Sequence, residues 1–299
     1  MKKGRGHILK TPRDRFKFII QYCDTFPVSR MCHVFGVSRS GYYDWLKAPE
    51  SQRARYNREL LGQIKEIHAE SKKIYGSPKM LIKLGKRGYK CGHNLVARLM
   101  RENGIKSKVV KKFRPRGKVI RIGDAIANVL DRRFYWPKPD MAWATDITYI
   151  PTREGWVYLC VFLDLCSKAI VGWSVSKRLK TELVLEALEK ACAWRNPGKD
   201  LLIHSDQGVQ YGSDDFQEYL KKHEFVQSMS RRGNCWDNAC VESFFRLLKV
   251  EELNDYKFQD INEVQYIVFK YIEYFYNRKR IHSSIGYMTP AEYEQFLIA

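Results

Sequence analysis

The chain has 299 residues, of which 44% are hydrophobic and 13% aromatic, so it contains enough apolar material for packed cores. No apolar run approaches the roughly 20 residues that cross a membrane, and the basic start MKKGRGHILK is not followed by a secretory apolar segment, so neither a membrane protein nor an exported one is expected. The eight cysteines form no C-x-x-C pair, which argues against a disulfide framework or a zinc module and favours the reducing cytoplasm.

The net charge of +20 is unevenly distributed along the chain. Residues 1–133 carry 33 Lys and Arg against 10 Asp and Glu, whereas residues 134–299 carry 20 against 23. A basic half joined to a near-neutral half predicts that the first half binds a polyanion such as DNA and that the second half has another role.

Residues 1–50 have the pattern of short helices separated by turns. Gly36 marks a tight turn, and Ser38 is a predicted N-cap of the helix that follows it. Two short helices across a glycine turn are typical of a helix-turn-helix, whose second helix can enter a major groove. Arg39 and Tyr42 on that helix are therefore predicted DNA contacts.

Residues 51–112 read as a second helical DNA-binding domain, with helices in NRELLGQIKEIHAES, SPKMLIKLGKRG and GHNLVARLMRENGI. Ser77 is the predicted N-cap of the middle helix. The candidate phosphate contacts are Lys79, Lys83, Lys86, Arg98 and Arg101, although exposed cations on an ordinary helical bundle explain any one of them equally well. Residues 113–133 are predicted to be a basic linker that lies along DNA.

Residues 134–299 change to strands that alternate with helices. Three strands come first, in MAWATDITYI, WVYLCVFLDLC and KAIVGWSVS, followed by a helix capped by Thr181. The strand DLLIHS, a helix, the strand FVQSMS and a helix capped by Asp237 complete the series. This order predicts an α/β domain with a mixed five-stranded sheet and flanking helices, as in the ribonuclease H-like fold, with a C-terminal helical tail.

Three acids have comparable positions in this pattern. Asp146 lies within the first strand, Asp206 follows the fourth strand and Glu242 lies early in the last helix of the series. An acid among apolar strand residues is costly to bury unless it is paired or binds a cation, although strand alternation also permits Asp146 to face outward. Lys249 follows Glu242 by seven residues, which returns it to nearly the same helix face, where it is positioned to hold a phosphate.

Three carboxylates without His or Cys at ligand spacing suit hard cations, so we expect Mg²⁺ or Mn²⁺ as cofactor. Two such ions roughly 3.5–4 Å apart can activate an attacking oxygen and stabilise the leaving oxygen of a phosphodiester.

The spacing of these acids resembles the D-D-35-E pattern of transposases and retroviral integrases, because 35 residues separate Asp206 from Glu242. The segments WATDITYI, HSDQGVQY, SRRGNCWDNACVESFFRLLK and YNRKRIHSSIGYMTPAEY resemble the second-reading-frame transposase polypeptide of the IS3 family of bacterial insertion sequences. In the basic half GVSRSGYY and YGSPKMLIKL are also similar to that family, so the resemblance covers nearly the whole chain.

The resemblance implies that Asp146, Asp206 and Glu242 hold the catalytic metal ions of a DNA transposase. Water would first cleave DNA at an element end, and the freed 3′-hydroxyl would then attack a second phosphodiester. It also implies a protein of the bacterial cytoplasm that associates with the nucleoid and forms a homo-oligomer on DNA. Its further partner would be the upstream-frame polypeptide, which in this family supplies another helix-turn-helix and a coiled coil by frameshifting.

Several other residues carry lesser expectations. His204 is expected to be packed or hydrogen-bonded, Asp164 to have a turn role and Asn238 to hold the loop near Glu242. The candidate DNA contacts near the acids are Arg231, Arg232, Arg278, Lys279, Arg280 and His282. Two alternative functions stay open, a ribonuclease H-like nuclease or resolvase that only hydrolyses, and a non-catalytic DNA-binding regulator of transposition.

Overall fold

A computed structural model describes residues 11–108, 126–231 and 234–299. The chain divides into two compact units, with the boundary between Gly62 and Gln63. Within the described ranges, no helix is both long and apolar enough to span a membrane.

The first unit contains three short helices, α1 (Pro12–Gln21), α2 (Val28–Phe35) and α3 (Arg39–Lys47). Helix α2 ends at Gly36, whose φ of 62° lies in the left-handed region that glycine adopts without strain. The Ser38 hydroxyl then accepts from the Gly41 amide at 3.2 Å, which makes Ser38 the N-cap of α3 as predicted. A small core fixes the angle between the helices; its buried residues are Ile19, Met31, Cys32 and Tyr42. The predicted helix-turn-helix layout is thus present in α2 and α3.

Helix α4 (Gln52–Glu70) begins in the first unit and continues into the second, where α5 (Ser77–Lys86) and α6 (His93–Glu102) follow. Helices α5 and α6 pack together through apolar residues at helical spacing, among them Met80, Leu84 and Val96. Gly76, not Ser77, is the N-cap of α5, so Ser77 is the first helical residue.

Residues 134–299 are built on a five-stranded sheet in the order β3-β2-β1-β4-β5. The strands are β1 (Ala142–Thr152), β2 (Gly155–Asp164), β3 (Ile170–Ser176), β4 (Leu202–Ser205) and β5 (Val226–Met229). The first three form an antiparallel meander, and β4 and β5 join it in parallel. The predicted mixed sheet with flanking helices is confirmed.

Helices α7 (Thr181–Arg195) and α8 (Asp214–Lys222) cover one apolar core of the sheet, which includes Trp143, Phe162 and Phe216. Helix α7 packs unusually close to β3 at Gly172, where a Cβ atom would lie 2.4 Å from the Ala187 carbonyl oxygen and 2.6 Å from the Ala191 Cβ. Only glycine permits that approach. Lys180 is the N-cap of α7, one residue before the predicted Thr181.

Helix α9 (Ala239–Glu251) packs against β1, and α10 (Ile261–Phe269) continues as a π-helical segment, Lys270–Tyr276. The last helix is α11 (Pro290–Ile298), which has Thr289 as its N-cap and Pro290 as its first residue. The tail is tied to the end of α9 by a buried ion pair, in which Arg280 donates to Glu251 at 2.7 and 2.8 Å. Tyr271 donates a further hydrogen bond to Glu251 at 2.7 Å.

Residues 126–133, the last part of the segment predicted to lie along DNA as a linker, pack against the five-stranded sheet domain. Leu130 is fully buried, and the Val129 and Leu130 amides both donate to the Ser228 hydroxyl at 3.0 Å. Residues 113–125 of that predicted linker lie outside the described residues.

Candidate active site

The parallel pairing of β1 with β4 places two of the predicted acids at equivalent positions. Ala144 is the register partner of His204; Asp146 lies two residues further along β1, and Asp206 lies two residues after His204, just beyond the end of β4. The Asp146 Oδ1 accepts from the Ile147 amide at 2.8 Å. The topology therefore brings together two acids that are separated by 60 residues.

A tight turn orients Asp206. Its Oδ1 accepts from the Gly208 amide at 3.0 Å, and a Cβ atom at Gly208 would lie 3.0 Å from that same oxygen. The glycine thus lets the backbone approach the carboxylate, which explains the Asp-x-Gly sequence after the strand.

Helix α9 supplies the third acid and the predicted cation. Glu242 lies in its first turn and is exposed, and Lys249 lies in its last turn and is half-buried. The Lys249 ammonium lies 5.5 Å from the ring centroid of Tyr149. Just before the helix, Asn238 donates to the Thr145 carbonyl at 3.0 Å, which ties α9 to the strand residue next to Asp146. The expectation that Asn238 holds this region is confirmed.

The three acids act on one another electrostatically. Burial, then the Asp206 carboxylate, and more weakly Glu242, raise the pKa of Asp146 well above its ordinary value, while the Ile147 amide and Lys249 act against that rise. Asp206 is exposed as a whole residue, but burial of its carboxyl group by the surrounding protein raises the pKa of that group as well. Partial burial and the Asp206 charge raise the pKa of Glu242. Negative charge is therefore concentrated at one place.

The donor set at this place fits a hard divalent cation. All three groups offer carboxylate oxygens, and none of them forms an ion pair with another described residue. Within the described ranges, no three Asp, Glu, His or Cys side chains are grouped closely enough to hold one metal ion as they stand. The acids are thus close enough to repel one another without being closed around a common centre.

His204 and Asp164 have the structural roles expected of them. The His204 imidazole is buried between the Ser228 and Ser230 hydroxyls, at 2.8 and 3.1 Å, and burial lowers its pKa to about 4, so it is neutral near pH 7. Asp164 is buried and accepts from the Cys166 and Ser167 amides in the turn after β2.

Asp237 is not the helix cap that the sequence suggested, since α9 begins after Asn238. Its buried carboxylate accepts from the Arg231 guanidinium at 2.9 Å through both oxygens and from Arg132 Nε at 2.8 Å. The hydrogen bonds from Arg231, then those from Arg132, hold the pKa of Asp237 far below its usual value. Sequence reasoning missed Arg132, because a cation in a basic stretch gives no signal of a buried partner 105 residues away.

Two groups of predicted DNA contacts require correction. Tyr42 is buried and packs its ring on Phe16 and Trp45, so it is a core residue of the first unit. Arg280 and His282 are buried as well, the former against Glu251, so neither is available to DNA in this structure.

The other predicted contacts differ in exposure. Arg39 is exposed at the start of α3. Lys79 and Lys83 are half-buried, and burial lowers the pKa of Lys79 to about 8. Arg98 is half-buried near Glu102, Arg231 is exposed but pairs with Asp237, and Arg232 lies outside the described residues.

Comparison with known protein families agrees with this architecture. Residues 55–113 match the model of an HTH-like domain, and residues 137–235 and 223–290 match two models of an integrase core domain. Proteins with such cores generally use divalent metal ions. Among solved structures, the HTLV-2 integrase catalytic core domain in complex with magnesium is 18% identical, with a TM-score of 0.42 over 52% of this chain and 97% of that one.

Similar full-length sequences extend over nearly the whole chain. The transposase InsF for insertion sequence IS3A from Escherichia coli K12 is 38% identical over 282 residues, which are 94% of this chain and 98% of the relative. The insertion element IS600 uncharacterized 31 kDa protein from Shigella sonnei is 37% identical over 89% of this chain and 97% of its own length. With an integrase core behind an HTH-like domain, and with this identity over the full length, the chain belongs to the IS3 family of insertion-sequence transposases.

Proposed function

We propose that this transposase cleaves DNA at the ends of its element and joins the freed 3′-hydroxyl to target DNA at the site formed by Asp146, Asp206 and Glu242. The observation that carries the proposal is the convergence of these three carboxylates from β1, the end of β4 and α9, each with a raised pKa and none in an ion pair with another described residue. Bound cations would stabilise the ionised form of all three carboxylates at neutral pH.

The three carboxylates would hold two Mg²⁺ or Mn²⁺ ions. Such ions supply Lewis-acid stabilisation to the attacking and leaving oxygens of a phosphodiester displacement. The Gly208 amide fixes one oxygen of Asp206, and the Ile147 amide fixes one of Asp146, so each carboxylate keeps its other oxygen for a cation. Lys249, two turns from Glu242, binds a phosphate of the DNA strand beside the acids.

The remaining parts of the chain would hold the DNA and its partners. The exposed Arg39 on α3 is a proposed phosphate contact, and α4–α6 form a second proposed DNA-binding domain with weaker contacts at Lys79, Lys83 and Arg98. We propose action on bacterial nucleoid DNA in the cytoplasm, as a homo-oligomer on element ends and with the upstream-frame polypeptide as a further partner.

A strand-transfer assay tests the proposal. Purified full chain is incubated with labelled DNA carrying the element's ends, with Mg²⁺, Mn²⁺ or EDTA. We expect metal-dependent joined products that Asp206→Asn abolishes while it leaves DNA binding nearly unchanged. Asp215→Asn, at an exposed acid in the first turn of α8, is the matched control and retains activity.

The products separate the proposal from its alternatives. Hydrolysis without any joined product would indicate a nuclease or resolvase, and DNA binding without chemistry would indicate a chain that needs its upstream-frame partner, or a regulator. Strand transfer that persists in Asp206→Asn would contradict the assignment of the acids.

A further inference from the structure

Two large aromatic rings lie exposed on the hairpin that carries Asp146. Tyr149 on β1 is 59% exposed and Trp156 on β2 is 54% exposed. Their ring centroids are 5.3 Å apart and their planes cross at 88°. Because Tyr149 is the register partner of Tyr158, and Pro151 that of Trp156, the two rings are diagonal neighbours on one face of the hairpin.

The aromatic pair is connected to Asp146 through one lysine. Lys249, whose ammonium interacts favourably with the Asp146 carboxylate, also lies 5.5 Å from the ring centroid of Tyr149. A ligand held by the pair and by Lys249 would therefore lie near Asp146.

The surroundings of the pair are cationic. Arg153 in the hairpin turn is exposed and forms no ion pair with any other described residue. The neighbouring acid, Glu154, is neutralised by Lys177 at 2.7 Å. Exposed rings with Arg153 and Lys249 nearby suit a ligand that offers flat aromatic groups and phosphates in alternation.

We propose that Tyr149 and Trp156 form a stacking site for an unpaired nucleobase of the DNA strand next to the acids, with Lys249 and Arg153 on its flanking phosphates. Bases inside a duplex are stacked on one another and cannot reach these rings, so the site takes a base from a single-stranded end or a locally opened step. This inference rests on the proposed function, because it places a DNA strand at Asp146.

The test uses full-length protein in EDTA, so that binding is measured without cleavage. The probe is a blunt duplex compared with the same duplex carrying a three-nucleotide 3′ overhang that contains 2-aminopurine. We expect wild-type protein to quench the overhang fluorescence. Tyr149→Thr and Trp156→Thr, which keep a strand-favouring residue, should lose the quenching and weaken overhang binding about tenfold, the effect of losing one stacked base.

Matched variants and a second measurement keep the test decisive. Tyr149→Phe retains the ring and should behave as wild type. Trp194→Thr, which removes an equally exposed tryptophan from α7, should change neither quenching nor affinity. Photo-crosslinking of 5-iodouracil in the overhang to wild-type protein, with peptide mapping, should identify Tyr149 or Trp156 and requires no variant.

The outcomes distinguish this inference from the proposed function. Unchanged quenching in both threonine variants, or crosslinks that map elsewhere, would overturn the stacking site. Light scattering of the wild type and of these variants tests another role for the rings. If the wild type is a dimer and the variants are not, while their DNA affinity is unchanged, the stacking site is overturned in favour of a surface that contacts a second copy. Overhang stacking without strand transfer in Mg²⁺ would leave the inference standing and refute the proposed function instead.

Discussion

The Asp146 carboxylate is placed where its ionised form is disfavoured, since burial and Asp206 raise its pKa. A carboxyl whose folded pKa exceeds its unfolded value costs stability fully above the folded pKa, and this cost declines as the pH falls and is absent below the unfolded pKa. We therefore expect Asp146→Asn to raise the free energy of unfolding in EDTA at pH 7 by about 1 kcal/mol, as is common when a functional residue is replaced. Urea denaturation of the wild type and of Asp146→Asn measures this difference in the free energy of unfolding.

The same variant tests the divalent ion. Mg²⁺ or Mn²⁺ should raise the melting temperature of the wild type, because a cation that binds only the folded state stabilises it, and should raise that of Asp146→Asn less. Asp215→Asn should match the wild type in both experiments. An Asp146→Asn protein that is less stable in EDTA than the wild type would contradict the repulsion argued for the three acids.

Asp237 presents the opposite electrostatic situation, a buried acid with its pKa held low by Arg231 and Arg132. A lowered folded pKa gives stability that is present above the unfolded pKa and is lost as the pH falls below it. Asp237→Asn should lower the free energy of unfolding at pH 7 by about 1–3 kcal/mol, because both arginines are half-exposed and are only partly deprived of water. Denaturation at pH 7 and pH 3 should show a difference that shrinks in acid.

Single residues show where reading the sequence succeeds and where it fails. The Asp-x-Gly after an apolar strand predicted the position of Asp206 because the turn is local. The burial of Arg280 was not predictable, since its partner Glu251 lies 29 residues away and a run of three cations and an asparagine reads as surface. Tyr42 was predicted to contact DNA, and its burial was not predictable either, because it depends on the angle between helices.

At the scale of elements, the buried pair between α9 and the C-terminal tail is open to a double-mutant cycle. Glu251 and Arg280 are almost fully buried, at 0% and 5% side-chain exposure. Glu251→Leu or Arg280→Met alone should each cost about 3–5 kcal/mol, because each leaves a buried charge without its partner. Urea denaturation of the single variants and of Glu251→Leu with Arg280→Met measures the coupling, and the double variant should recover most of the loss. Additive losses would show that the pair is not the unit that holds the tail.

Elements themselves were largely predictable, and their boundaries less so. The sequence predicted all five strands of the sheet and the helices α7, α8 and α9, in their order along the chain. The caps at Ser77 and Thr181 were each displaced by one residue, because Gly76 and Lys180 take the extended backbone position before the helix. The sheet order required knowledge of the fold, since parallel pairing of β1 with β4 has no local signal.

For the whole molecule, the excess of cations in residues 1–133 predicts electrostatic DNA binding. Affinity for a non-specific duplex should fall by about three or more orders of magnitude between 50 and 200 mM salt if six or more phosphates are neutralised. Arg39→Ala should reduce the slope of log affinity against log salt concentration by about one. Lys190→Ala, which removes a cation paired with Glu186 on α7, should leave the slope unchanged. A slope for Arg39→Ala equal to that of the wild type would contradict the assignment of α3 to the DNA interface.

The strand order also has a consequence for how the protein folds. The β1–β2–β3 meander joins neighbours in sequence, and so can form early, whereas Ala142 and Leu202 pair across 60 residues and a whole helix. Because closing that longer loop is slower, β4 should dock on β1 late in refolding. Asp206 then reaches Asp146 only after this docking, so a newly made chain should have most of its secondary structure before its proposed active site is assembled.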